Sequence, residues 1–220
     1  MEQTDLLIFN FEGTIANTSY HHLNCIKKCI EKYGLRELEE EYMPLLGHVD
    51  LLSALILLGA EKDKFMEINE YYKEIFFDNL SDIVLFDGVI DTLDAFKENN
   101  ISLAITSNYS RLNLLPILES LEILDYFDQV VSISDMSLKR TSPKIVNTVL
   151  NGTKVSRQNA LVVSDSDYDI RMGKNAKCKT CLIVYPDGKN ININSEPDYI
   201  TTSFEDVLKI VQIKSKSSQK

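Results

Sequence analysis

This chain has no apolar run long enough to span a bilayer, which takes about 20 consecutive apolar residues. Its first apolar run is short and ends in polar residues, so no signal peptide is expected either. Basic residues are in deficit: 23 Lys and Arg against 33 Asp and Glu leave a net charge of −10. A surface of that sign repels phosphate backbones and argues against nucleic acid as a partner. The one basic stretch, at 214–220, reads as a frayed terminus rather than a binding arm, with 215–220 disordered. Internal repeats are lacking, and so is low-complexity sequence outside that tail. These absences predict a soluble, cytoplasmic protein with no membrane partner.

Cysteine is scarce, and its four positions are Cys25, Cys29, Cys178 and Cys181. Two pairs at short spacing raise zinc as a possibility. The first pair, however, is spaced i,i+4 on an apolar helical face. The second flanks the start of the run Thr180-Cys181-Leu182-Ile183-Val184, which reads as a buried strand. Free cysteine packs as a small hydrophobe, so core positions are expected, without disulfides.

What remains is an ordinary globular composition, 44% hydrophobic and 25% charged over 220 residues. That length suits one large domain or a core with an insert. Apolar runs predict strands at 6–9, 101–105, 129–133, 160–163 and 181–185, and a short sixth at 199–201. Helical spacing predicts helices at 89–97, 112–121, 145–150, 169–176 and 204–211. Strands alternating with helices mean crossover connections and a parallel sheet covered on both faces, an α/β fold. The exception is 17–82, which holds only helical patterns, at 20–33, 51–58 and 64–77, punctuated by Gly34, Gly47 and Gly59.

Four segments carry the chemistry. Leu6-Leu7-Ile8-Phe9-Asn10-Phe11-Glu12-Gly13-Thr14 is a strand that delivers Asn10 and Glu12 to its end and then turns. Leu103-Ala104-Ile105-Thr106-Ser107-Asn108 is a strand ending in hydroxyls and an amide. Arg140-Thr141-Ser142-Pro143 opens a helix, with Pro143 near its first turn. Ala160-Leu161-Val162-Val163-Ser164-Asp165-Ser166-Asp167-Tyr168-Asp169 is a strand ending in acids. Taken singly, each has a plainer explanation. Asp165 could cap a helix, Asp169 could favour a first turn, Arg140 could be a surface cation and Thr106 a strand-end hydroxyl.

In this order the four segments resemble the motifs of the haloacid dehalogenase-like (HAD) phosphatases, in the phosphoglycolate phosphatase-like branch. The resemblance covers nearly the whole chain. It implies a Rossmann-like parallel core at 1–16 and 83–214, with a helical cap at 17–82. It implies Mg²⁺ held by Asn10, Glu12, Asp165 and Asp169, since hard oxygen donors suit that ion. Thr106, Ser107, Asn108 and Arg140 would hold the phosphoryl group of a small phosphorylated metabolite, or free phosphate. In such enzymes the first acid attacks phosphorus and the second acts as acid and base. Here those places hold Asn10 and Glu12, Arg140 stands where lysine is usual, and Ser164 stands where glycine is usual. His22 begins the first cap helix, near where the cap meets the active site, and His48 follows Gly47 in a cap turn where relatives place specificity residues, so that both are candidates for substrate binding, although a solvated surface histidine is the plainer explanation of each.

The resemblance therefore leads to two expectations. The first is a HAD-like protein with hydrolysis lost or greatly weakened, because Asn10 replaces the nucleophile. It would still bind a phosphorylated ligand or a protein. The second is an active Mg²⁺-dependent phosphatase in which Asn10 is engineered or bypassed.

Overall fold

The computed structural model describes residues 4–186 and 194–212. The basic tail at 215–220 lies outside the described residues. The chain divides into two compact units, Met1–Ala16 with Leu85–Lys220, and Asn17–Val84.

The chain opens with β1 (Leu6–Asn10), all five residues of which are buried, and a short β2 (Ala16–Asn17). Three α-helices follow: α1 (Ser19–Tyr33), α2 (Leu51–Leu57) and α3 (Phe65–Asp78). Next come β3 (Val84–Leu85) and α4 (Val89–Glu98), then β4 (Ser102–Ser107) and α5 (Arg111–Ser120). After β5 (Gln129–Ser132), α6 (Pro143–Thr153), β6 (Ala160–Ser164), α7 (Asp167–Asn175) and β7 (Lys179–Ile183), the described chain closes with β8 (Tyr199–Thr201) and α8 (Asp206–Ile210).

The larger unit is built on one parallel sheet of six strands in the order β5-β4-β1-β6-β7-β8. Alternate side chains of β1 go to opposite faces. Leu6 and Ile8 pack with Val162, Ile145, Val149 and Met172 on one side. Phe9 meets Phe96 and Phe204 on the other, at centroid distances of 6.1 and 5.0 Å. Burial on both faces explains why β1 and β6 read as unbroken apolar runs. Gly173 lets α7 approach the sheet: a Cβ there would lie 2.6 Å from the Thr180 methyl.

Local chemistry sets the helix starts. Ser142 accepts from the Lys144 amide, and Pro143 fills the first position of α6, where a missing N–H costs nothing. Ser110 caps α5 through the Asn113 amide. In the smaller unit, Asp50 caps α2 through the Ser53 amide, and Ile26, Ile30, Leu46, Ala54 and Leu58 form a core of their own.

Three features depart from expectation. The pairing of β2 with β3 has no counterpart in the sequence reading, because two-residue strands leave no periodic signal. Strand β7 runs over Lys179–Ile183, so Tyr185 lies beyond it. Helix α7 starts at Asp167, with Ser166 rather than Asp165 in the capping position. All four cysteines are buried free thiols. Burial pushes Cys25 and Cys178 up to about 11 and Cys29 and Cys181 up to about 12, as befits packing groups. Among the described residues no helix is long and apolar enough to cross a membrane.

Candidate active site

The connections out of β1 define the place. The chain continues to β4 and β5 on one side of β1, and β6, β7 and β8 lie on the other. This is the point in an open parallel sheet where the carboxyl ends of strands leave a crevice. In register, Asn10 sits beside Thr106, and Phe9 sits beside Thr106's neighbour Ile105 and beside Val163. The ends of β1, β4 and β6 thus bring the motif residues of the core to one edge.

Past Asn10 the chain turns back on itself. The Phe11 carbonyl accepts from the amides of Thr14, Ile15 and Ala16, and Gly13 donates to the Ala16 carbonyl. Gly13 has φ +77°, and a Cβ there would lie 2.2 Å from Asp165 Oδ2, so both conformation and space demand glycine. Thr14 Oγ1 donates to Asp165 Oδ1 at 3.1 Å and accepts from the Asp165 amide at 3.0 Å. Asn10 Nδ2 donates to the Glu12 carbonyl at 2.8 Å and, at 3.5 Å, to Asp165 Oδ1.

Glu12 is partly buried and accepts from Ser107 Oγ at 2.8 Å. Burial pushes its carboxyl above the usual carboxylate range, against the Ser107 hydrogen bond and the Arg140 charge. Ser107 also accepts from the Tyr109 amide. Thr106, expected to hold a phosphoryl group, instead donates its hydroxyl to the Phe9 carbonyl at 3.2 Å within the sheet. Neighbouring strand residues face opposite ways, so Ser107 is the hydroxyl that reaches Glu12. Asn108 is exposed just past the strand.

Arg140 forks onto Asp169, with Nε 3.0 Å from Oδ1 and Nη2 2.7 Å from Oδ2. Ser164 Oγ adds a third donor to Asp169 at 2.8 Å. Burial acts to lower the Arg140 pKa. The charge and hydrogen bonds of Asp169, then the charges of Glu12 and Asp165, outweigh it and raise the guanidinium above its ordinary value. The Tyr168 ring lies beside this pair, with the Arg140 guanidinium 5.8 Å and that of Arg171 4.9 Å from its centroid.

Sequence reasoning missed two supports. Thr14, a residue of the turn after β1, anchors Asp165. Tyr185 lies beyond β7, where its hydroxyl donates to the Thr14 carbonyl at 2.7 Å and its ring stacks on Phe86 at 3.9 Å. Nothing in a single sequence marks either partnership, which spans 151 residues for Thr14 and 171 for Tyr185. Within the smaller unit, His22 Nε2 donates to the Val49 carbonyl at 2.8 Å, and its Nδ1 accepts from the Tyr72 hydroxyl. His48 closes a 3₁₀ turn at Met43–His48, and its side chain lies outside what the structure describes.

A sequence profile described as Haloacid dehalogenase-like hydrolase matches residues 7–183. The chain belongs to the haloacid dehalogenase-like hydrolase family. It is similar to the pyrophosphatase PpaX of Halalkalibacterium halodurans, 24% identical over 97% of this chain and 100% of that one. It is similar also to the phosphoglycolate phosphatase of Aquifex aeolicus, 29% identical over 94% of this chain and 96% of that one. A crystal structure of a predicted phosphoglycolate phosphatase from Haemophilus somnus superposes with a TM-score of 0.82 at 24% identity, over 96% of this chain and 100% of that one. The first two are named as phosphatases, and this chain shares its fold, built on the six-stranded parallel core, with the third.

Phosphatases of this HAD-like family generally use Mg²⁺, so its donors can be tested against the geometry. Both Asp169 oxygens accept from Arg140, and one of them also from Ser164. Glu12 Oε2 accepts from Ser107. Asn10 presents an N–H donor, not an oxygen, toward Asp165 and the Glu12 carbonyl. Among the described residues, no group of three or more His, Cys, Asp or Glu side chains is arranged to hold a metal ion. As arranged, the donor set does not fit a cation that asks for near-ideal octahedral oxygen ligands.

Proposed function

We propose that this HAD-like protein takes the phosphoryl group of a small phosphorylated metabolite at the carboxyl edge of its core sheet, with hydrolysis lost or greatly weakened. One observation carries the reading. At the end of β1, where an attacking carboxylate belongs in such a site, stands the Asn10 amide, tied to the Glu12 carbonyl and to Asp165. An amide oxygen forms no stable acyl phosphate, so the covalent route is closed. Ser107, Arg140 and Glu12 remain at the same edge as donors and as an acid. They can orient a phosphoryl group, and Glu12, with its raised pKa, can keep a proton.

The two curated relatives favour a second reading, and they favour it over loss of activity: a pyrophosphatase and a phosphoglycolate phosphatase, they match this chain along essentially their whole length. In that reading the chain is a working Mg²⁺-dependent phosphatase of a small phosphorylated metabolite, phosphoglycolate phosphatase-like, with Asn10 bypassed. One experiment separates the two. Phosphate release from phosphoglycolate, pyrophosphate and a generic aryl phosphate is measured with Mg²⁺, alongside calorimetric binding of the same compounds. Binding without turnover supports the first reading. Turnover at ordinary enzyme rates, about 1–10³ s⁻¹, establishes the second. Neither binding nor turnover overturns both.

A further inference from the structure

On the reading of this edge as a phosphoryl site, its oxygen-rich groups need something positive between them. The Glu12 carbonyl and the Asp165 carboxylate both face the end of β1, and Asp169 lies beside them. In a cation-dependent site the ion would supply that charge and bridge the oxygens. Here the chain supplies the donors itself. The Asn10 amide lies between the Glu12 carbonyl at 2.8 Å and Asp165 Oδ1 at 3.5 Å, so a single N–H₂ group spans two oxygens. Thr14 adds a hydroxyl donor to the same Asp165 oxygen at 3.1 Å. Arg140 brings a permanent positive charge and satisfies both oxygens of Asp169, with Ser164 completing its shell.

We infer that the Asn10 amide and the Arg140 guanidinium take the place of a divalent cation, so that the site is assembled and binds its ligand without Mg²⁺. The two substitutions act together. Replacing a carboxylate by an amide removes one negative charge and adds two donors. Using an arginine rather than a lysine places a rigid fork on Asp169, which a point-charge ammonium cannot do. A cation entering the space between the Glu12 carbonyl and Asp165 would have to displace the Asn10 donor, and it would meet one carboxylate fewer.

The test uses the full chain. The melting temperature and calorimetric heats are followed on adding Mg²⁺ alone, then inorganic phosphate with either Mg²⁺ or EDTA. The expected result is no Mg²⁺ response and the same phosphate affinity in both conditions. The Asn10→Asp variant removes the donor and adds a carboxylate. It should gain a saturable Mg²⁺ response, with affinity at least about tenfold above the unmodified chain, since ligand charge sets affinity in such sites. A Mg²⁺-dependent rise in melting temperature of the unmodified chain would overturn the inference while leaving the phosphoryl site standing. An Asn10→Asp variant that folds and still ignores Mg²⁺ would overturn it too. Should that variant fail to fold, the response of the unmodified chain decides alone. Phosphate binding in neither condition would instead sink the phosphoryl reading, with the Mg²⁺ titration still deciding the question of the cation.

Discussion

Arg140 and Asp169 form a two-pronged ion pair, Nε to Oδ1 and Nη2 to Oδ2, with the Asp169 side chain only 2% exposed and that of Arg140 29% exposed. The pair joins the loop ahead of α6 to the first turn of α7. The guanidinium and the Ser164 hydroxyl between them satisfy both oxygens of this buried carboxylate. Its value lies less in net attraction than in the cost of leaving either partner alone.

Arg140→Ala should therefore destabilise the fold by about 3–5 kcal/mol, the usual cost of stranding one member of a buried pair. Arg140→Lys keeps the charge without the fork and should cost less. Urea denaturation of both variants measures the difference. A loss for Arg140→Ala within about 0.5 kcal/mol would show that the pair behaves as a surface contact.

Gly13→Ala should be costly for two separable reasons. Left-handed backbone penalises an L side chain by about 1–2 kcal/mol. The new methyl would also collide with Asp165, whose Oδ2 lies 2.2 Å from the Cβ position. Thermal denaturation should show the loss. A crystal structure should show Asp165 displaced from Thr14, and an Asp165 left in place would contradict the steric half of the prediction.

Asp198 gives a pH signature. It accepts from the Thr180 amide at 2.8 Å and hydroxyl at 3.0 Å, and from Lys174 Nζ at 2.8 Å. Burial acts to raise its pKa, but the Lys174 and Thr180 hydrogen bonds outweigh that and hold the carboxyl below its usual value. A depressed folded pKa means stability that is present above the unfolded value, about 3.9, and lost as pH falls through the folded one. The stability gap between the unmodified chain and Asp198→Asn should hold steady from neutral pH to about 5, then shrink in stronger acid. A gap that instead widens in acid would reverse the sign and refute the assignment.

For catalysis, the unmodified chain should turn over generic phosphomonoesters negligibly, and Asn10→Asp should recover only part of the activity. On the proposed reading Glu12 would carry its acid one methylene too far, and general acid–base catalysis is typically worth roughly 10²–10⁴-fold. Asn10→Asp combined with Glu12→Asp should exceed either single change, because nucleophile and acid act as a unit. Initial rates with Mg²⁺ present compare the variants. A double variant no better than Asn10→Asp alone would clear Glu12 and direct attention to Arg140 and Ser164.

Much of this was legible in the order of residues. Strands buried on both faces betray themselves as unbroken apolar runs, and all six runs became strands of one sheet, five of them with ends moved by one or two residues. The clustering of Asn10, Glu12 and Asp165 followed from their places at strand ends. The choice between Thr106 and Ser107 was not legible. Adjacent strand residues face opposite sides, and only the pairing register with β1 decides which faces the site.

The sequence by itself determined the α/β pattern, the helical insert and the amide of Asn10 at the end of the first strand, because these are properties of periodicity and of single positions. The tertiary structure alone decided what each polar group does. Whether Asn10 points a donor at Asp165, 155 residues away, or whether Arg140 spends its fork on Asp169, depends on which distant groups the sheet and helices bring within hydrogen-bond reach. A hydrogen bond is lost within an ångström of misplacement, and that precision comes only from the packed core.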